Sequence, residues 1–342
     1  MPKKTTVGVI GCGYWGPNLL RNFAENETAE LRWMCDLDAK RLNAMGRRYP
    51  ATQTTTDYKS LMADPGLDAV AVATPVWTHF TFAKDALEAG KHVLVEKPLT
   101  ASVAEAEQLI ELAERSSLTL MVDHTFVYNG AVRKIKEIVQ SGELGDLLYF
   151  DATRINLGLF QDDINVVWDL APHDFSIMDF VVDGQPELLS AVGSCHIKQG
   201  IENIAYVLLK FPNELIAHFH FNWLSPVKIR HTLIAGSRKM VVYDDIEPTE
   251  KVRVYDRGVT TRSESDADKE AAYQTLVSYR TGDVWVPKLD STEALQYVCK
   301  EFLSAIVQSR RPLTDGQAGL RVVRLLEAAQ RSIGAGGGPV RL

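Results

Sequence analysis

The chain has 342 residues, of which 46% are hydrophobic and 24% charged, and its formal net charge is −7. This length exceeds what one hydrophobic core usually supports, so two domains are expected. The acidic balance weighs against a general nucleic-acid binder, which would carry a basic face.

There is no signal-peptide pattern and no apolar run long enough to cross a bilayer, so no membrane is expected and the location reads as cytoplasmic. Cys12, Cys35, Cys195 and Cys299 form neither a CxxC pair nor a zinc-type spacing and read as free thiols.

The first third alternates strands and helices. Val7–Ile10 is a short apolar strand, followed by a helix over Trp15–Ala24 and a second strand over Leu31–Cys35. Asp68–Ala73 reads as a strand buried on both faces, and a helix over Thr78–Ala89 ends at Gly90. His92–Val95 is a further strand. Ser102 and Glu105 form a capping-box pattern for a helix reaching Arg115, and Leu118–Val122 follows as a strand. Strands separated by helices imply crossover units and a doubly wound parallel sheet, a Rossmann-type α/β domain over residues 1–123.

The pattern changes in the second part, 124–342. Strand-like segments at Leu147–Ile155, Leu188–Ile197, Asn203–Phe211, Leu215–Trp223, Arg230–Ala235 and Lys239–Tyr243 follow one another, with a helical pattern over Val166–Val182 between them. This predicts an α+β domain with a large open, mainly antiparallel sheet. Thr249–Ala271 is polar and charged and reads as an exposed loop or lid. Two amphipathic helices, Ser291–Gln308 and Asp315–Ser332, close the chain and are candidates to pack back on the first domain. Gly334–Gly338 reads as a frayed tail.

Gly11-Cys12-Gly13-Tyr14-Trp15-Gly16 matches the GxGxxG fingerprint, after a strand and at the start of a helix, where the motif needs to be. Gly11 would permit the tight turn, Gly13 the approach of a pyrophosphate and Gly16 the close packing of helix on strand. The phosphates would sit on free N–H groups at the helix start. Asp36, at the end of the second strand, is placed to accept hydrogen bonds from the ribose of NAD, and it would repel a 2′-phosphate. Arg41 lies close enough in sequence to soften that preference toward NADP.

Glu96-Lys97-Pro98 stands at the end of a strand of the same sheet, where ligands of open α/β sheets bind. Taken alone, a lysine after a strand is usually a solvated loop residue. Trp168-Asp169-Leu170-Ala171-Pro172-His173-Asp174 places Asp169 and His173 four apart, on one face of a helix. A histidine can move a proton on and off a hydroxyl; a surface Asp–His pair is the plainer reading. Asp169, His173 and Glu96 could ligate zinc only if the fold gathered them, and no HExxH or Cys/His cluster supports a metal.

Together, Gly11–Gly16, Thr74-Pro75 with His79, Glu96-Lys97-Pro98 and Asp169-x-x-x-His173 resemble the Gfo/Idh/MocA family of oxidoreductases over essentially the whole chain. The resemblance implies an NAD(P)-dependent dehydrogenase acting on CH–OH groups. It implies that Lys97, Asp169 and His173 form the catalytic group. For the cofactor it implies Gly11, Gly13, Tyr14, Trp15, Gly16, Asp36, Thr74, Pro75, His79, Glu96 and Lys97. It also implies a small-molecule sugar substrate and a homodimer or homotetramer built through the open sheet.

Gly11–Asn18 and Trp168–Asp174 look like the branch acting on nucleotide-linked amino sugars, at C3 of a UDP-linked N-acetylated sugar or its uronate. Arg154 and Asn156 are the expected contacts for a sugar carboxylate or phosphate. Inositol, a free sugar or a sugar phosphate are the alternative substrates in the same family, and a non-enzymatic dinucleotide or sugar sensor is the alternative class.

Overall fold

In the computed structural model, which describes residues 4–158, 160–261 and 277–342, six parallel strands form the first sheet. They are β1 (Thr5–Ile10), β2 (Ala29–Cys35), β3 (Gln53–Thr55), β4 (Ala69–Val72), β5 (His92–Glu96) and β6 (Leu120–Asp123), in the order β3-β2-β1-β4-β5-β6. β1 and β4 are buried along their whole length, as expected of strands covered on both faces.

The connecting helices are α1 (Gly16–Glu25), α2 (Ala39–Arg48), α3 (Lys59–Met62), α4 (Val76–Glu88) and α5 (Val103–Arg115). Asp38 caps α2 by accepting from the N–H groups of Lys40 and Arg41. Ser102 caps α5 through the Glu105 N–H, a contact worth about 1 kcal/mol. The Glu105 carboxylate reaches back to the Ala101 N–H. β3, α2 and α3 are short or strongly polar, and no apolar run marks them in the sequence.

The second sheet has nine strands in the order β14-β13-β12-β11-β7-β10-β9-β8-β15. After α6 (Gly130–Gln140) come β7 (Leu147–Leu157), α7 (Val166–Val181), β8 (Leu188–Ser194), β9 (Ile204–Lys210), β10 (Ile216–Asn222), β11 (Leu224–Gly236), β12 (Met240–Asp244), β13 (Val252–Thr261) and β14 (Val277–Trp285). Among the described residues, only the β7–β10 pairing of this sheet is parallel. Phe175 of α7 packs edge-on to Phe219 and Phe221 of β10, at 5.0 and 6.0 Å between ring centroids, and these rings anchor the helix to the sheet.

Two expectations fail here. The first part of Thr249–Ala271 is strand β13, not loop. Its Val252-Arg253-Val254-Tyr255 stretch alternates with period two and buries both valines, a pattern masked by the polar residues around it. Residues 262–271 of that expected loop lie outside the described residues. The glycine tail is also tied down. After α8 (Ala294–Gln308) and α9 (Gly316–Gly334), Gly336 and Gly337 take positive φ, and β15 (Val340–Arg341) pairs with Leu188 and Leu189.

The chain divides into two compact units. One runs to Asn129 and takes in Thr292–Glu327; the other spans Gly130–Ser291 and Ala328–Leu342. The first unit thus contains α8 and most of α9 besides the residues up to Asn129. The reasons are specific. Phe302 meets Phe23 at 6.5 Å, Arg21 forks Glu293 at 3.0 and 2.7 Å, and Thr314 Oγ1 donates to the Val122 carbonyl at 2.7 Å. Among the described residues no helix is long and apolar enough to cross a membrane.

Candidate active site

In the first unit every strand points the same way, so the carboxyl ends of β1, β2, β4, β5 and β6 share one edge. The strand order reverses between β1 and β4, the switch point where a crevice forms in this class of sheet. The chain places Gly11–Gly16 after β1, Asp36 after β2, Thr74 and Pro75 after β4, and Lys97 after β5.

Gly11 has φ +96°, and a Cβ there would meet the Ala73 carbonyl oxygen; a Cβ on Gly16 would meet the carbonyl of Gly11. Gly13 is different: the nearest atom to a Cβ is Arg41 Nη1 at 3.7 Å, so its openness is room for a ligand rather than for the fold. The start of α1 has no side-chain cap, which leaves its N–H groups for an anion. Asp36 is fixed by two backbone donors, Cys12 N–H to Oδ2 at 2.6 Å and Asp38 N–H to Oδ1 at 2.8 Å. One carboxylate thus holds the glycine loop and the turn after β2 together. This cradle fits a dinucleotide. Tyr14, 91% exposed, is free of the core.

His79 is buried on α4. Its Nδ1 lies 2.8 Å from the Pro98 carbonyl and its Nε2 2.8 Å from the Thr74 carbonyl. It ties the turn after β4 to the turn after β5, and burial disfavours its charged form. Its link to a cofactor is therefore through the loops that it holds. The Lys97–Pro98 peptide is cis.

Glu96 Oε2 accepts from the Lys97 N–H at 3.2 Å, closing the turn on itself. Across the sheet Glu96 is in register with Asp123, the last residue of β6. Asp123 accepts from Trp15 Nε1 at 3.3 Å and from Thr125 Oγ1 at 2.6 Å. Burial, then the neighbouring Asp123, pushes Glu96 well above the usual carboxylate range; burial also pushes Asp123 up. Asp123 went unnoticed in the sequence. Its signal was the one that singled out Asp36: a carboxylate at the end of an apolar strand.

In the second unit Asn165 caps α7 by accepting from the N–H groups of Val167 and Trp168 at 3.1 Å. Its amide is held by Glu202 and Gln330 at 2.7 and 2.6 Å. Asp169 and His173 lie one turn apart on this helix, with Pro172 between them. Pro172 removes the bond that would reach the Trp168 carbonyl. Trp223, 1% exposed, donates its indole N–H to Asp169 Oδ2 at 3.0 Å. Ser176 Oγ donates to the His173 carbonyl at 2.8 Å.

Arg154, expected to bind a substrate anion, is turned to another task. It is 4% exposed and forks the carboxylate of Asp174, the residue after His173, with Nε to Oδ2 at 2.6 Å and Nη2 to Oδ1 at 2.9 Å. A guanidinium facing inward on a buried strand position pairs with a buried carboxylate because neither charge tolerates isolation. Asn156 is half-buried beside Gly158 and Trp223. Among the described residues no cluster of three or more His, Cys, Asp or Glu could hold a metal ion. The cysteines are free thiols, with Cys12, Cys35 and Cys299 buried.

Comparison with known proteins agrees with this fold. The model of the Gfo/Idh/MocA oxidoreductase family, NAD-binding Rossmann fold, matches residues 5–124, and that of the Gfo/Idh/MocA C-terminal domain matches residues 132–242. A UDP-N-acetylglucosamine 3-dehydrogenase of Acidithiobacillus ferrooxidans is 27% identical, over 92% of this chain and 93% of that protein. A dTDP-3,4-didehydro-2,6-dideoxy-alpha-D-glucose 3-reductase of Saccharopolyspora spinosa is 28% identical, over 71% and 76%. A solved structure of the Acidithiobacillus ferrooxidans UDP-N-acetylglucosamine 3-dehydrogenase superposes with a TM-score of 0.79 at 25% identity, covering 97% of this chain and 98% of that one.

Proposed function

The chain belongs to the Gfo/Idh/MocA family and is an NAD(P)-dependent oxidoreductase, and from that premise we propose that it oxidises a secondary hydroxyl of a nucleotide-linked sugar. The substrate proposed is a UDP-linked N-acetylated amino sugar or its uronate, oxidised at C3. The observation that carries the reading is Lys97 at the carboxyl end of β5, on the edge that also bears the glycine cradle and Asp36. The substrate class draws on the UDP-N-acetylglucosamine 3-dehydrogenase likeness, which extends over 92% of the chain.

When bound, the dinucleotide supplies the hydride acceptor. Gly11, Gly13, Gly16 and the α1 N-terminus would hold its pyrophosphate, and Asp36 its ribose, which would favour NAD over NADP. Thr74, Pro75 and His79 shape the turn beside it, while Tyr14, Trp15 and Glu96 complete its surround. His173 takes the proton from the reacting hydroxyl as general base. Lys97 donates a hydrogen bond to the reacting oxygen and stabilises the negative charge that develops there. Asp169, steadied by Trp223, orients substrate hydroxyls. A sensor would have no use for a lysine, an aspartate and a histidine of these chemistries together.

The test is NADH formation, read by absorbance, with UDP-N-acetylglucosamine, UDP-N-acetylglucosaminuronate, inositol and glucose, in the wild type and in Lys97→Ala. Turnover with a UDP-sugar, lowered about 100-fold or more in Lys97→Ala while NAD still binds, is the expected result. Turnover on free polyols alone would replace the nucleotide sugar with a simpler substrate. Undiminished turnover in Lys97→Ala would remove Lys97 from the chemistry.

A further inference from the structure

Two carboxyl groups face each other at the end of adjacent strands in the first unit, and the mechanism above uses neither as an acid or a base. Glu96 and Asp123 are partners in the parallel β5–β6 register, so their side chains project on the same face of adjacent strands. Two ionised carboxylates cannot hydrogen-bond, because neither has a proton to donate. The existing donors are unevenly divided. Among the described residues, Asp123 receives Trp15 Nε1 on Oδ2 and Thr125 Oγ1 on Oδ1, whereas Glu96 receives its neighbour's backbone N–H, on Oε2. Glu96 Oε1 is buried with no donor among the described residues. A buried carboxylate oxygen without a donor is costly, and a proton on it converts it into a donor to the partner.

We infer that Glu96 and Asp123 share one proton, and that the pair presents a single negative charge to the nicotinamide end of the dinucleotide. The proton resides on Glu96, and Asp123, already served by Trp15 and Thr125, carries the charge. The surroundings fit one charge rather than two. The Lys97 ammonium is the cation that acts on both carboxyls. The other titratable side chains that feel the pair are Tyr128, in the turn after β6, and Cys299 of α8. Burial raises both, so they are neutral around pH 7 and add no charge. His124, next in the chain, is buried.

The consequence concerns the two redox forms of the cofactor. Oxidised nicotinamide carries a positive charge and the reduced ring does not, so a negative charge near it favours the oxidised form. At alkaline pH the pair releases its shared proton to solvent and its charge goes from −1 to −2. The preference for NAD over NADH then rises. Because Asp123 also holds Trp15 of the glycine loop, the pair and the cofactor cradle form one hydrogen-bonded assembly. The inference rests on the cofactor site and not on the identity of the sugar.

Two measurements on the whole protein test it, both without sugar. The first is infrared difference spectroscopy near neutral pH, comparing the wild type with each variant. The wild type should show a protonated-carboxyl stretch that is absent from both Asp123→Asn and Glu96→Gln. The second is the ratio of NADH to NAD dissociation constants as pH is raised. In the wild type the ratio should increase by about tenfold or more, tenfold being the effect of one unit charge at roughly 12 Å and an effective dielectric of about 20. In Asp123→Asn, where an amide donates permanently and the charge stays at −1, the ratio should be flat. Glu96→Gln provides the same comparison should the asparagine variant fold poorly. A wild type lacking the band, or variants whose ratio still rises with pH, overturns the shared proton. Failure of the UDP-sugar reading leaves both measurements unaffected.

Discussion

Arg154 grips Asp174 through two parallel hydrogen bonds, at 2.6 and 2.9 Å, with both side chains almost fully buried. The pair links β7 to α7 at the position next to His173. Breaking it by Arg154→Ala leaves an uncompensated buried carboxylate and should cost about 3–5 kcal/mol in denaturant unfolding. Arg154→Lys should recover only part, because a lysine cannot reproduce the fork. If Arg154 bound substrate instead, Arg154→Lys would raise KM and leave the unfolding midpoint where it was.

Trp223 sets the orientation of Asp169 by one indole hydrogen bond of 3.0 Å. Trp223→Phe keeps an aromatic ring in the buried site and removes the donor. The expected result is a loss of turnover of about fivefold to tenfold, the equivalent of roughly 1 kcal/mol for one hydrogen bond. The affinity for NAD should be unchanged, as measured by direct titration. An equal fall in NAD affinity would show a structural effect and not one on the substrate side.

The glycines of the cofactor loop should separate into two classes. Gly11→Ala forces a side chain onto a positive φ and against the Ala73 carbonyl, so it should lower the thermal midpoint and abolish NAD binding together. Gly13→Ala has room in the fold. It should leave the thermal midpoint within a degree or two, yet weaken NAD about tenfold or more, because the added methyl lies where the pyrophosphate approaches. Thermal melts with and without NAD distinguish the two.

The Asp64 carboxylate receives Arg32 Nε and Trp33 Nε1, both at 2.7 Å, and these hold it well below the usual carboxylate range. Its ionised form is thus preferred in the folded state. The stabilisation is present above about pH 4, where the unfolded group ionises, and is lost as pH falls through the folded value. Asp64→Asn should therefore lower stability by about 1–2 kcal/mol near neutrality, a figure reduced because Arg32 is partly exposed. The difference from wild type should close in strong acid. Unfolding curves at several pH values check this, and a gap that widened in acid would contradict it.

The features legible in the sequence were those whose physics is local. The glycine fingerprint, Asp36 at the end of β2, Lys97 after β5, the cap at Ser102 and the one-turn spacing of Asp169 and His173 all lie within reach of a strand end, a tight turn or a helical turn. Alternating apolar runs gave the parallel sheet and most of the second one. Strand β13 was lost because its short Val-Arg-Val-Tyr alternation sits in a polar stretch, and pairing with β12 and β14 supplied what composition did not.

Only the tertiary structure decided the partners of the functional groups. Trp223 and Asp169 are 54 residues apart, Arg154 and Asp174 are 20 apart, and Asp123 reaches Trp15 across 108. No periodicity relates such residues. Sheet register and helix packing place them together, and the cost of burying an unpaired charge or donor then selects which groups meet. Sequence alone thus determined a dinucleotide-binding dehydrogenase and its candidate site residues. The fold decided that Arg154 serves Asp174, that Trp223 steadies Asp169 and that Glu96 faces Asp123, because those contacts exist only once distant strands are side by side.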